Sequence, residues 1–151
     1  MVVIDSDVLL LAFTFLNDDR QERNKAFLEA VQTARPATTI YNVMEVLGQL
    51  SFNLSTERLE QWQFWFVDQY QLAVIWVADE NQKMGKESFY EELYERPYQK
   101  MRSSRMAFLD SLILSLAERT PDIEYFVTWN AKHFKGKTDL TVLTPEEYLN
   151  L

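Results

Sequence analysis

The chain opens on Met1-Val-Val-Ile-Asp-Ser-Asp-Val-Leu-Leu-Leu11, the stretch that most limits how the rest can fold. Three aliphatic residues run directly into Asp5 and Asp7, and an apolar run resumes at Val8. That is the pattern of a buried strand ending in carboxylates and turning into a helix. In an open α/β sheet, ligands and metals bind in the crevice beyond the carboxyl ends of the strands. The stretch therefore marks a candidate site, provided that other carboxylates reach it from elsewhere in the chain.

With 151 residues, 47% hydrophobic and 25% charged, residues 1–151 are expected to form a single globular domain. The absence of cysteine excludes a disulfide framework or a thiolate metal site and fits a cytoplasmic protein. No run of about 18 uninterrupted apolar residues is present, so no membrane association is expected. The acidic opening also lacks the basic leader of a secretory signal. A net charge of −8 disfavours broad attraction to a nucleic-acid backbone. It is compatible with carboxylates that hold divalent cations, because bound metals reverse the local field.

Strands are expected at 2–5, 37–40, 73–77, 124–128 and 141–143, separated by helices. That alternation predicts a three-layer α/β/α domain around a central, mainly parallel sheet of four to five strands. The helices are predicted at 8–16, 21–34, 41–52, from a Ser55 cap to 70, from Ala78 or Asp79 toward Arg96-Pro97, at 106–118, and as a last turn capped by Thr144-Pro145. In the 41–52 helix, Asn42, Glu45 and Gln49 form a narrow polar stripe away from the apolar face. Periodicity alone makes Glu45 a solvated glutamate. Trp62, Phe64, Trp65, Phe66 and Tyr70 crowd one helix, where they fit core packing, a homodimer interface or base stacking. Arg96, Lys100, Arg102 and Arg105 are the densest basic group, fitting either a solvated face or phosphate contacts.

Asp110 is the most informative anomaly. It lies outside the polar stripe of its helix (Ser111, Ser115, Glu118, Arg119), among Met106, Ala107, Ile113, Leu114 and Ala117. A carboxylate there faces a desolvation cost of several kcal/mol unless it is paired, hydrogen-bonded or bound to metal. Asn130 stands just beyond the fourth strand, the same kind of position as Asp5. His133, the only histidine, has no second histidine or cysteine nearby and reads as structural. Converging carboxylates with little basic compensation are what Mg²⁺ and Mn²⁺ require.

The order and spacing of Val-Ile-Asp5-Ser-Asp7-Val-Leu, Asn-Val-Met-Glu45-Val-Leu, Phe-Leu-Asp110-Ser-Leu-Ile-Leu and Val-Thr128-Trp-Asn130-Ala-Lys-His-Phe134 resemble the PIN domain nucleases, including the VapC-type toxins of bacterial toxin–antitoxin pairs. The resemblance runs along nearly the whole chain. It implies that Asp5, Glu45 and Asp110 bind Mg²⁺ or Mn²⁺ for cleavage of single-stranded RNA, with an antitoxin protein as partner. Many members carry aspartate at the fourth acidic position, where this chain has Asn130. An amide ligates through oxygen or orients water but supplies no charge. Asp7 is expected to cap the helix after the first strand or to support the ligands, and Thr128 to fix its turn or hydrogen-bond a carboxylate. Arg102 and Arg105 are the candidate substrate contacts.

Two alternatives stand beside the nuclease. One is a PIN-like module that binds RNA or protein with little or no catalysis. The other is a haloacid-dehalogenase-like phosphatase, in which Asp5 would be the nucleophile and Asp7 the general acid. The phosphatase also needs a phosphate-holding lysine and a paired acidic loop, and Asn130 lacks the partner carboxylate.

Overall fold

The computed structural model describes residues 1–15, 17–78 and 83–151. Strand β1 (Val2–Ile4) leads into α1 (Ser6–Thr14) and α2 (Gln21–Ala30). A 3₁₀ turn, Val31–Ala34, tightens the end of α2, where a longer α-helix is expected. Arg35 then takes a left-handed backbone (φ 53°) and delivers the chain into β2 (Pro36–Thr39). The change has a local cause, since a residue before proline is driven out of the α conformation.

Helix α3 (Ile40–Ser51) follows without a loop, then α4 (Thr56–Trp62), α5 (Trp65–Gln69) and β3 (Ala73–Ile75). The single aromatic helix expected to reach Tyr70 is thus broken at residues 63–64. Trp62, Trp65, Phe66 and Tyr70 all gather on Phe13, with ring centroids 5.4–6.1 Å away, while Phe64 and Trp65 remain exposed. Asp79, an expected helix start, lies outside the described residues. Ala78 sits in a bend, and helix is present from α6 (Lys86–Tyr90).

From α6 a π-helical turn (Glu91–Glu95) runs on into α7 (Arg96–Ser104), so Pro97 does not end the helix as its sequence context predicts. Proline breaks helices because it cannot donate to the preceding turn. Here the Arg96 N–H reaches back five residues to the Glu91 carbonyl, and the widened turn lies immediately before the proline at the second position of α7. The chain closes with α8 (Phe108–Glu118), β4 (Tyr125–Val127), α9 (Ala131–Phe134), β5 (Thr141–Leu143) and α10 (Pro145–Leu149).

The five strands form one all-parallel sheet in the order β3-β2-β1-β4-β5. Its two faces carry separate cores, as the two-residue period of a strand requires. Val2, Ile4 and Val127 pack with Val8, Phe27, Val43 and Phe66. Val3 and Phe126 pack on the other side with Ile113, Leu114 and Phe134. The domain is therefore the expected three-layer α/β/α arrangement. Among the described residues no helix is long and apolar enough to cross a membrane. Strand order reverses between β1 and β4, and a crevice opens beyond the carboxyl ends of such a pair.

Candidate metal centre

Asp5 is the first residue beyond β1 and is 5% exposed. It caps α1, accepting the Ser6 N–H at 2.9 Å, so the capping role falls to Asp5 rather than to Asp7. Helix α3 brings the second carboxylate. Thr39 and Asn42 form a reciprocal capping box, which fixes the first turn. The Asn42 amide nitrogen then donates to Asp5 Oδ1 at 2.8 Å. One turn further on, Glu45 accepts a hydrogen bond from the Ser6 hydroxyl, which also lies 3.4 Å from Asp5 Oδ1. Ser6 and Asn42 thus both hold Asp5 through Oδ1.

Asp7 has a different task. Its carboxylate accepts the Thr128 hydroxyl at 2.9 Å, the Trp129 N–H at 3.2 Å and the Asn130 N–H at 3.0 Å. It clasps the end of β4 to the start of α1, and the fully buried Thr128 has the expected carboxylate partner. Three donors hold Asp7 as an acceptor, which is the wrong state for the general acid of a dehalogenase-like phosphatase. Asn130 is exposed and enters this network through its backbone.

Asp110 lies in the first turn of α8 with its side chain 28% exposed, so it is not sealed among apolar residues. Ser111 and Ser115, the expected polar stripe, are the buried ones. His133 lies beside Asp110, with Nε2 3.1 Å from Oδ2. The contact is close but off hydrogen-bond geometry, and Nε2 is a buried nitrogen without a directed partner among the described residues.

The carboxylates feel one another. Burial, and then the charges of Asp7 and Glu45, push the Asp5 pKa well above the ordinary carboxylate value, against the opposing Thr128 and Ser6 hydrogen bonds. Burial, Asp110 and Asp7 raise that of Glu45, opposed by Ser6. Burial also raises Asp7, while its hydrogen bonds to Thr128, Trp129 and Asn130 oppose the rise. Among the described residues no lysine or arginine forms an ion pair with any of the four. Such a cluster lacks a cation, and its oxygen donors suit a hard divalent one. As placed, no three His, Asp or Glu side chains among the described residues close a coordination shell.

A raised carboxylate pKa means that the folded state favours the protonated form. For Glu45 that contribution is full below 4.5 and is lost as pH rises through the elevated value. Glu45→Gln, uncharged throughout, is therefore expected to melt above the wild type in metal-free buffer at neutral pH. The gap should close toward pH 4.5. Thermal melts across that range check this, and a gap that ignores pH would contradict it.

Of the basic group, Arg96 pairs with Glu91 and Glu92, and Lys100 with Glu118. Arg102 and Arg105 are exposed and make no ion pair among the described residues. Sequence reasoning missed several contributors. Ser6 and Asn42 tie the carboxylates together. Asn24 accepts the Trp129 indole N–H at 2.7 Å, and the Arg20 guanidinium stands 5.5 Å over that indole and feels the charge of Asp7. Side chains of this kind give no periodic signal; only the fold brings residues 20, 24 and 129 together.

Sequence comparison finds no matching protein family and no matching curated protein. Solved structures do match. VapBC2 from Rickettsia felis, bound to a DNA fragment from its promoter, shares 19% identity at a TM-score of 0.64, covering 95% of this chain and 98% of that one. FitAB bound to an IR36 DNA fragment shares 14% at 0.62, covering 96% and 95%. FitAcB from Neisseria gonorrhoeae shares 14% at 0.62, covering 97% and 99%. At these identities the likeness is one of fold, and the five-stranded parallel sheet flanked by helices is a PIN-like fold.

Proposed function

We propose that the protein is a Mg²⁺- or Mn²⁺-dependent endoribonuclease that hydrolyses phosphodiester bonds of single-stranded RNA, acting as the toxin of a toxin–antitoxin pair. One observation carries the proposal. Asp5 at the end of β1 and Glu45 on α3 are tied together through the Ser6 hydroxyl, burial raises the pKa of both, and the charge of Asp110 on α8 reaches Glu45. Mg²⁺ or Mn²⁺, when bound, supplies Lewis-acid stabilisation of the charge that develops on the scissile phosphate. The chain's own residues do the rest. Asp5, Glu45 and Asp110 would hold the ion, Ser6 and Asn42 orient the first two, and Asp7 bonds Thr128 to clasp β4 to α1. The cavities elsewhere, such as the 520 Å³ one lined by Glu95, Arg96, Lys100 and Glu118, share none of these ligands.

Asn130 and the open carboxylate spacing favour one alternative, a binding module with little catalysis. Incubating the chain with labelled single-stranded RNAs in Mg²⁺, Mn²⁺ or chelator separates the two. Cleavage that chelator abolishes is expected. RNA bound but uncut under both metals would put the binding module ahead. An antitoxin partner rests on the structural likeness to VapBC2 and FitAB, and co-purification with the product of an adjacent small gene tests it.

Arg102 and Arg105 lie shortly before Asp110 in the chain and carry charge free for phosphate. Replacing both by Gln should weaken binding of every single-stranded sequence about equally. It should also flatten the slope of log affinity against log salt by about 0.7 per lost contact. Affinities measured over a salt series check this; an unchanged slope would remove them from the RNA path.

A further inference from the structure

We propose that Tyr90, Tyr94 and Tyr98, followed by Arg102, Arg105 and Phe108, form a track on which single-stranded RNA stacks its bases beside the carboxylates. The proposal rests on the ribonuclease reading above and says how that substrate is held. Helix α6, the π-helical turn and α7 run without a break over residues 86–104, and the tyrosines recur along them at every fourth position. Residues at that spacing share one face of a helix. The rings follow suit, with centroids 5.0 Å apart for Tyr90 and Tyr94 and 5.8 Å for Tyr94 and Tyr98, the second pair parallel to within 6°. All three are 44–54% exposed and belong to neither hydrophobic core. A row of aromatic rings that packs on itself and on water marks an interaction surface.

Charge identifies the occupant. Although the chain is acidic overall, the stretch from Arg96 to Leu109 contains no aspartate or glutamate. Arg96 and Lys100 are taken up in ion pairs, while Arg102, the next position on the tyrosine stripe, and Arg105 are exposed and make no ion pair among the described residues. Arg105 adopts a left-handed backbone (φ 52°) that ends α7. Phe108 then opens α8, 49% exposed, two residues before Asp110. Aromatic rings and free cations thus alternate along one segment that ends at the candidate site. Single strands are held by that combination, the rings taking the bases and the cations the phosphates. A helix that docks on a protein presents apolar anchors at this spacing. Tyr90, Tyr94, Tyr98 and Arg102 include no aliphatic residue.

Binding of a labelled single-stranded RNA of about twelve nucleotides to the whole chain tests this, in chelator and, on the Asp110→Asn background, in Mg²⁺. The double variant Tyr94→Ala/Tyr98→Ala should bind at least about tenfold more weakly, with an unchanged melting temperature. Its slope of log affinity against log salt should match the wild type, because a lost base stack releases no counterion. Tyr98→Phe keeps the ring face and should bind as the wild type does, whereas Tyr98→Leu keeps apolar bulk and should bind as weakly as Tyr98→Ala. Duplex RNA of the same sequence, its bases already stacked, should not distinguish the double variant from the wild type. A double variant that holds the single strand at wild-type affinity overturns the track alone. Wild-type affinity in Tyr98→Leu also overturns it and makes the face one for a protein partner. If the wild type binds no single strand under either condition, the ribonuclease reading fails with it.

Discussion

Asp110→Asn should lower metal-dependent cleavage of single-stranded RNA by at least about 10²-fold while leaving the melting temperature almost unchanged. Loss of one carboxylate ligand removes a charge that the metal needs, and a hundredfold rate loss corresponds to about 2.7 kcal/mol of transition-state stabilisation. Stability should survive because the side chain is partly exposed and its one ion-pair contact among the described residues is with His133. The isosteric amide leaves no buried charge stranded. Parallel cleavage assays and thermal melts provide the check. An Asp110→Asn protein that cuts RNA at the wild-type rate in Mg²⁺ or Mn²⁺ would remove Asp110 from the site and with it the strongest reason for a nuclease.

The second large effect is on stability, far from any metal. Glu92 is 3% exposed within the π-helical turn. It receives the Arg119 guanidinium from the end of α8, the Arg96 guanidinium at 3.4 Å and the Tyr41 hydroxyl at 2.7 Å from the first turn of α3. Burial and Glu92 together push the Tyr41 pKa up. Glu92→Ala leaves Arg119 and Tyr41 without their acceptor, and breaking one side of a buried pair costs about 3–5 kcal/mol. Arg119 is 28% exposed and also reaches the Ser115 carbonyl, so the lower end of that range, about 3 kcal/mol, is expected. For a domain of this size the melting temperature should fall by roughly 6–12 °C. Glu92→Gln keeps an acceptor for Tyr41 and should lose less. A Glu92→Ala protein that melts with the wild type would show that the pair contributes nothing net.

The parts of the fold set by local pattern were legible in the residues. β1 and β4 are legible because aliphatic runs ending in polar residues have few other uses, and the Ser55 and Thr144 starts follow side-chain capping, whereas the Thr39 cap is hidden inside what reads as a strand. The residues single out Asp5 and Asp110 as candidates, whereas Glu45 needs the family resemblance, since a polar stripe on a helix does not say what lies opposite it. Asp110 was read as sealed in apolar surroundings because a helical wheel treats every turn alike. Asp110 in fact lies in the first turn with its side chain 28% exposed. Pro97 was read as a stop because the widened turn that accommodates it leaves no mark in composition. His133 looked isolated because its nearest partner is 23 residues away in sequence and is brought close only by the packing of α8 and α9 against one face of the sheet.

Strand β1 lies at the centre of the sheet, and its partner β4 is paired across the whole chain, Val2 with Tyr125 and Ile4 with Val127. The Asp7 clasp to Thr128 spans 121 residues. During synthesis, at about 5–20 residues per second, roughly 6–24 s separate the emergence of Asp7 from that of its anchor. In that interval Asp5 and Glu45 lie on a half-built sheet, with β1 lacking one neighbour. A nascent chain therefore cannot close the Asp7 clasp until β4 arrives, so the surroundings of Asp5 become fixed only late in synthesis, by topology alone.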